Sequence, residues 1–135
     1  MKTILLVDDN TFILDILSRA ITTGDRHTAI RTARNGRDAA GILKSSRVDL
    51  ILTDLNMPIM DGYRLVEYRN RHCPQVPVLV MTAGMSPDVM QRLKVLGITG
   101  CLEKPFEVEA LTRLLLDSLN APHHLPVPAE SGVAC

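Results

Sequence analysis

The most constraining feature of this sequence is the alternation of short apolar runs with stretches of helical periodicity. The strongest runs are Ile4–Val7, Val48–Leu52 and Val76–Met81, and two weaker ones are Ala29–Ala33 and Ile98–Leu102. Their apolar residues are mostly consecutive rather than alternating with polar ones, which is typical of parallel strands covered on both faces. These runs therefore predict five strands, of which the strongest are fully buried.

The intervening segments have apolar residues at helical spacing. One face of the first segment carries them at i, i+3, i+4, i+7 and i+8, namely Ile13, Ile16, Leu17, Ala20 and Ile21. Similar stripes follow within residues 39–43, 65–68, 89–96 and 108–115. Asn10 or Thr11 is predicted to begin the first helix, Gly24 to close it in a left-handed turn, and Gly97 to end the fourth.

Strand–helix units in strict alternation predict an α/β fold, a doubly wound parallel sheet with helices on both faces. Right-handed crossovers and the chain length favour five strands in the order 2-1-3-4-5, the flavodoxin-like (βα)5 arrangement. We expect this domain to span residues 1–119. Residues 120–135, which include Pro122, Pro126 and Pro128, are expected to form a flexible tail or linker.

Composition excludes several classes of protein. Lys plus Arg and Asp plus Glu are both 15, so the formal net charge is zero, which argues against binding nucleic acid or a membrane by bulk charge. Two Phe and two Tyr are too few for a base-stacking platform. The apolar run Ile4–Val7 is shorter than the about 7–15 residues of a secretory signal or the about 20 of a membrane span. We therefore expect a cytoplasmic protein without a nucleic-acid or membrane partner.

Polar residues follow the predicted strands. Asp8 and Asp9 follow the first, Asp54 the third, Thr82 the fourth, and Lys104 the fifth. Because the first and third strands are neighbours in this order, the three carboxylates converge at one sheet edge. Two carboxylates about 5 Å apart repel by roughly 3 kcal/mol at an effective dielectric constant of 20. A hard divalent cation removes that repulsion, and oxygen ligands suit Mg²⁺ best, with Mn²⁺ as the alternative.

Each of these residues also has an ordinary structural interpretation. Asp8 or Asp9 could cap a helix, Asp54 could lie in a turn, and Lys104 could be a surface lysine. The pair Asp61-Gly62 is interpreted as a turn and the start of a helix. It is the joint placement of the other residues at adjacent strand ends that favours a functional site.

The chemistry that this set of residues favours is phosphoryl transfer onto a carboxylate. Asp54 is the candidate nucleophile and would form an acyl phosphate. Asp9 and Asp54 would hold Mg²⁺, with Asp8 acting through water. Lys104 offers an ammonium group and Thr82 a hydroxyl to the phosphoryl oxygens.

At these residues the sequence resembles the receiver domain of response regulators in two-component signalling. The resemblance covers residues 3 to about 119 and rests on five stretches, namely 6–10, 33–36, 53–62, Met81-Thr82-Ala83 and 103–106. It implies that Asp54 accepts a phosphoryl group from a phosphohistidine on a sensor histidine kinase or a phosphotransfer protein. It further implies a downstream protein target or a fused output domain.

The resemblance also implies particular roles for residues around Asp54. Asp8, Asp9 and Asp54 would bind Mg²⁺ together with the backbone carbonyl of Asn56. Thr82, followed by Ala83, would be the switch hydroxyl, and Lys104 would neutralise the phosphate. The bond between Lys104 and Pro105 is expected to be cis.

Position 101 departs from the family pattern. Receiver domains usually have Tyr or Phe three residues before the switch lysine, and this chain has Cys101. A cysteine side chain cannot move an aromatic surface between buried and exposed positions. We therefore expect phosphorylation to be retained and the aromatic form of the readout to be absent or replaced.

The function that these residues favour is that of a phosphoacceptor signalling domain, which is not an enzyme although it assists its own phosphorylation and dephosphorylation. Two other functions are alternatives to it. One is an aspartyl-phosphate phosphatase of haloacid-dehalogenase type, which needs an acid/base group two residues after its nucleophile. That position is Asn56, whose amide cannot transfer a proton. The other is a docking domain that works without phosphorylation, which the complete set of site residues disfavours.

No output domain follows Leu119 in this sequence, so we expect a stand-alone protein or a fragment of a longer one.

Overall fold

The computed structural model describes residues 1–120 and shows strands and helices in strict alternation. The strands are β1 (Lys2–Val7), β2 (Thr28–Ala33), β3 (Leu50–Asp54), β4 (Val78–Thr82) and β5 (Gly100–Glu103). The helices are α1 (Thr11–Gly24), α2 (Gly36–Ser45), α3 (Gly62–His72), α4 (Pro87–Leu96) and α5 (Val108–Asn120). Asn120 belongs to α5, and the rest of the predicted tail, residues 121–135, lies outside the described residues. No helix of the described part combines the length and apolar character required to cross a bilayer.

The strands form one parallel sheet in the order β2-β1-β3-β4-β5. Leu6 of β1 is paired with Leu52 of β3, which is paired in turn with Leu79 of β4. This confirms the predicted α/β fold and strand order. Both β3 and β4 extend slightly further along the chain than the apolar runs indicate, so that Asp54 and Thr82 close these strands rather than follow them.

The core has two layers, one on each face of the sheet. On one face, alternate strand residues such as Ile4 and Leu6 pack with α1 and α5. On the other face, Leu5 and Val7 pack with α2, α3 and α4. Because successive residues of a strand point to opposite faces, two buried layers require the consecutive apolar residues seen in the sequence.

Side chains and backbone conformation define the helix ends. The side chain of Asn10 accepts hydrogen bonds from the amides of Phe12 and Ile13 and begins α1, and Gly97 ends α4 in a left-handed conformation with φ of 75°. The prediction of a left-handed turn at Gly24 is wrong. Gly24 is the last residue of α1, and the chain leaves it through an extended Asp25. The Asp25 carboxylate accepts hydrogen bonds from the residues that follow, so no left-handed residue is needed to close this turn.

A buried arginine fixes the C-terminal end of α4 to α3. Arg69 of α3 is 8% exposed, and its Nε donates a hydrogen bond of 2.8 Å to the Val76 carbonyl. Its Nη1 donates to Asn70 Oδ1 at 2.7 Å and to the Gly97 carbonyl at 3.4 Å. Asn70 in turn donates to the Leu96 carbonyl at 2.8 Å. Desolvation by burial lowers the pKa of Arg69 from its ordinary value.

Candidate functional site

The carboxyl ends of β1, β3, β4 and β5 bring the predicted site residues to one edge of the sheet. Asp8 directly follows β1, Asp54 and Thr82 are the last residues of β3 and β4, and Lys104 directly follows β5. Asp8, Asp54 and Thr82 are 0%, 7% and 1% exposed, whereas Asp9 is exposed. A site built on strand ends is held by the rigid part of the fold, because the ladder hydrogen bonds fix each strand relative to its neighbour.

Lys104 joins the two buried carboxylates. Its Nζ lies 3.2 Å from Asp8 Oδ2 and 3.4 Å from Asp54 Oδ2. The second oxygen of each carboxylate accepts a backbone hydrogen bond, from the Asn10 amide at 2.9 Å and from the Leu55 amide at 2.8 Å. Within residues 1–120, no buried side-chain nitrogen or oxygen lacks a hydrogen-bond partner. The carboxylates are therefore oriented before any ligand arrives.

The environment of Asp8 disfavours the charged form of its carboxyl group. Burial raises the pKa of Asp8 above its ordinary value, and the nearby charge of Asp54 raises it further. The Asn10 amide and the Lys104 ammonium lower the pKa of Asp8, but by less than burial and Asp54 together raise it. A buried carboxylate in this position is stabilised by additional positive charge.

Asp8, Asp9 and Asp54 form a cluster with the chemistry of a metal site. One carboxylate oxygen from each residue lies within 4.8 Å of the oxygens from the other two. Oxygen donors with a net negative charge fit Mg²⁺, which binds one or two carboxylates directly and keeps several waters. The prediction that these three carboxylates converge is confirmed.

The remaining predicted residues lie at or just after the same strand ends. Thr82 Oγ1 accepts a hydrogen bond of 3.2 Å from the Gly84 amide, and the Thr82 carbonyl accepts one of 2.8 Å from the Lys104 amide. Ala83 is exposed directly after β4, and Asn56 is exposed in the loop between β3 and α3. The strand ends thus bring a hydroxyl, an ammonium group and the carboxylates to the same edge of the sheet.

Two other positions of interest lie close to Lys104 in the chain. The peptide bond between Lys104 and Pro105 is cis, as the resemblance implies. Cys101 is fully buried on β5, in the core layer shared with α2, α3 and α4. No aromatic side chain therefore stands at this position.

The loop between β3 and α3 is held by two glycines whose role the sequence pattern does not indicate. The Gly62 amide donates a hydrogen bond of 2.9 Å to the Leu55 carbonyl, and a Cβ on Gly62 would lie 2.3 Å from the Asp54 carbonyl oxygen. The Gly36 amide donates a hydrogen bond of 2.8 Å to the Met60 carbonyl. Asp61 caps α3 with its side chain, in agreement with its interpretation as a helix start. The close approach at Gly62 has no signal in the sequence beyond the glycine itself.

Comparison with known proteins agrees with this geometry. The family model described as "Response regulator receiver domain" matches residues 4–116. The chain is 33% identical over 112 residues to the sensor histidine kinase RcsC of Escherichia coli, covering 83% of this chain and 12% of that protein. It is 37% identical over 117 residues to the response regulator protein PilR of Pseudomonas aeruginosa, covering 86% of this chain and 26% of that protein.

Solved structures give the same result. The chemotaxis protein CheY4 of Vibrio cholerae superimposes with a TM-score of 0.76 at 35% identity, covering 86% of this chain and 97% of that one. The chain thus matches nearly all of CheY4 but only a small part of the curated relatives RcsC and PilR. The arrangement of strand-end residues and the family match lead to one conclusion: this chain belongs to the response regulator receiver domain family.

Proposed function

We propose that Asp54 is the phosphoacceptor of this receiver domain. The observation that supports this role is the position of the Asp54 carboxylate, at a strand end, within 4.8 Å of two other carboxylates and 3.4 Å from the Lys104 ammonium. An Asp54 oxygen forms a bond to phosphorus while the P–N bond of a donor phosphohistidine breaks and the imidazole leaves with the bonding electrons. The product is an acyl phosphate on Asp54.

The acidic cluster is proposed to bind Mg²⁺ through Asp8, Asp9 and Asp54, with the Asn56 backbone carbonyl as a further ligand. The bound ion would offset the negative charge of the carboxylates and of the incoming phosphoryl group. Mn²⁺ has the same preference for oxygen ligands and is the alternative ion. Asp8 contributes mainly through its charge and its fixed orientation, which the Asn10 amide maintains.

Two residues are proposed to act on the phosphoryl group once it is on Asp54, and a third to leave their approach open. The Lys104 ammonium, now paired with Asp8 and Asp54, would pair with a phosphoryl oxygen instead. The Thr82 hydroxyl would exchange the Gly84 amide for a phosphoryl oxygen, to which it can donate. Ala83 is small and exposed, so it leaves this approach open.

The experiment that tests this function is incubation with acetyl phosphate and Mg²⁺ followed by intact mass measurement. The unmodified chain is expected to gain one phosphoryl group, and Asp54→Ala is expected to gain none. Asp88→Ala, which removes an exposed carboxylate from the first turn of α4, is the matched control and should be phosphorylated like the unmodified chain. Phosphorylation of Asp54→Ala, or none on the unmodified chain, would contradict the proposal.

The raised pKa of Asp8 leads to a prediction for the pH dependence of Mg²⁺ binding. Asp8 takes up a proton at a higher pH than an ordinary aspartate does. Proton binding therefore begins to compete with Mg²⁺ binding at a higher pH. The increase in Tm produced by Mg²⁺ should therefore shrink as the pH falls, with affinity decreasing about tenfold per pH unit below the pKa of Asp8. In the metal-free protein a fall in pH should instead raise the Tm through Asp8, because its raised pKa means that protonation favours the folded state. Thermal unfolding with Mg²⁺ or EDTA at a series of pH values measures both effects, and a Mg²⁺ effect that grows with acidity would contradict the prediction.

Cys101 is proposed to change how the phosphorylated state is read. Phosphorylation of Asp54 would proceed, but the movement of Thr82 would not be accompanied by the exposure or burial of an aromatic ring at position 101. Structures of the free and beryllofluoride-bound protein test this. A large concerted rearrangement centred on Cys101 would contradict it.

The proposed partners follow from this chemistry. We propose a phosphohistidine on a sensor histidine kinase or a phosphotransfer protein as the donor, and a downstream protein or a fused output domain as the receiver of the signal. The chain spans only 12% of RcsC and 26% of PilR, so the activities of those whole proteins are not transferred to it. A cytoplasmic location is part of the same proposal.

A further inference from the structure

A basic cavity lies on the surface of the domain, and none of its lining residues belongs to the proposed phosphoacceptor site. It has a volume of about 370 Å³ and lies between α2, α3 and the loop that joins β3 to α3. We call its lining the arginine surface, which consists of Arg37, Ile59, Met60, Arg64, Glu67 and Arg71.

The three arginines of this surface have free guanidinium groups in the described part of the chain. Each of Arg37, Arg64 and Arg71 is exposed, and within residues 1–120 none of them forms an ion pair or a side-chain hydrogen bond. Glu67 lies between Arg64 and Arg71 on α3 but is paired with neither. Three positive charges and one negative charge therefore leave a local excess of positive charge on a chain whose formal net charge is zero.

The apolar part of the surface is held in an unusual conformation. Ile59 has a φ of 72° and is 63% exposed. A β-branched residue rarely adopts a positive φ, so the surrounding structure must hold it there. Two backbone hydrogen bonds do so, from the Met60 amide to the Pro58 carbonyl at 2.7 Å and from the Gly36 amide to the Met60 carbonyl at 2.8 Å. The loop thus presents an apolar side chain to solvent beside the guanidinium groups.

We infer that the arginine surface docks an acidic segment of a protein partner, one with two or more carboxylates next to an apolar side chain. The carboxylates match the planar donors of Arg64 and Arg71, and the apolar side chain would pack against Ile59. Arg37, from α2, would extend the contact beyond α3. The contact is expected to be weak, because each exposed ion pair contributes little.

The same observations disfavour two other occupants. A small-molecule site buries about 70–90% of its ligand, whereas every residue that lines this cavity except Met60 is exposed. A nucleic-acid surface needs a basic stripe that tracks the phosphates, and Glu67 interrupts this one. An acidic protein segment requires neither enclosure nor an extended stripe.

The test uses the ¹⁵N-labelled chain and two short synthetic peptides, one rich in Glu and Leu and the other with Gln in place of every Glu. The acidic peptide is expected to shift amide resonances around Arg37, Ile59, Arg64 and Arg71 in a saturable manner, and the neutral peptide is not. Arg64→Gln combined with Arg71→Gln should weaken this binding by about fivefold or more. The matched control, Arg26→Gln combined with Arg113→Gln, removes the same charge from exposed positions elsewhere.

Three results would overturn the inference: equal weakening by both pairs of substitutions, equal shifts with the neutral peptide, or tighter binding of a DNA duplex than of the acidic peptide at the arginine surface. The variant with Arg64→Gln and Arg71→Gln should still be phosphorylated by acetyl phosphate. Failure of docking is therefore distinguishable from failure of the proposed phosphoacceptor function.

Discussion

Gly62→Ala is expected to lower the free energy of unfolding by about 3 kcal/mol or more. A Cβ at this position would lie 2.3 Å from the Asp54 carbonyl oxygen and 2.8 Å from the Leu55 Cα. Both are backbone atoms next to the site, so neither can move aside as the end of a flexible side chain could. Relief of the clash requires either α3 or the end of β3 to shift. Chemical denaturation monitored by circular dichroism measures the change.

Gly41→Ala is the matched control for this substitution. Gly41 lies inside α2, and a Cβ there would meet no atom within 4 Å. Alanine in an open helical position should raise the free energy of unfolding by about 0.5–1 kcal/mol. If the two substitutions had similar effects, the close packing of Gly62 against β3 would be contradicted.

Lys104→Met is expected to destabilise the metal-free protein by about 2–4 kcal/mol at neutral pH. The ammonium contacts Asp8 and Asp54, whose side chains are only 1% and 10% exposed, and its own side chain is 19% exposed. Its removal leaves two buried carboxylates close together without a compensating cation. The pKa of Asp8 should then rise further, because Lys104 lowers it in the unmodified chain.

The same substitution should strengthen Mg²⁺ binding. A site that has lost one positive charge attracts a divalent cation more strongly, by about tenfold or more in affinity. Mg²⁺ should therefore raise the Tm of Lys104→Met by more than it raises that of the unmodified chain. Lys94→Met, which removes an exposed lysine from the last turn of α4, should change stability by no more than about 0.5 kcal/mol. Equal unfolding of the two variants in EDTA, or weaker Mg²⁺ binding by Lys104→Met, would contradict this account.

The part of the fold that sequence can predict is the part governed by local pattern. Consecutive apolar residues identify the central strands, and parallel strands present their carboxyl ends at one edge, which is enough to bring Asp8 and Asp54 together. Asn10 and Gly97 are recognisable as helix ends because capping depends on neighbouring residues alone. At Gly24 the same reasoning fails, because the carboxylate of the next residue, Asp25, closes the turn.

What sequence cannot predict depends on contacts between distant segments. The approach of Gly62 to β3 and of Gly36 to the Met60 carbonyl arises only when α2, α3 and the sheet are packed together. The simultaneous contact of Lys104 with Asp8 and Asp54 likewise depends on side-chain conformation at three strand ends. Neither follows from spacing along the chain.

Arg69 has a mechanical consequence for α4. The carbonyls of Leu96 and Gly97 are held by Asn70 and by the buried guanidinium of Arg69, so the C-terminal end of α4 is anchored to α3. Its opposite end follows the loop after Thr82 and has no such anchor among the hydrogen bonds of the described residues. A displacement that starts at Thr82 is thus expected to rotate α4 as a lever about Gly97 rather than to translate it. Amide hydrogen exchange that stays slow at Gly97 while it changes near the start of α4 would be the signature of that motion.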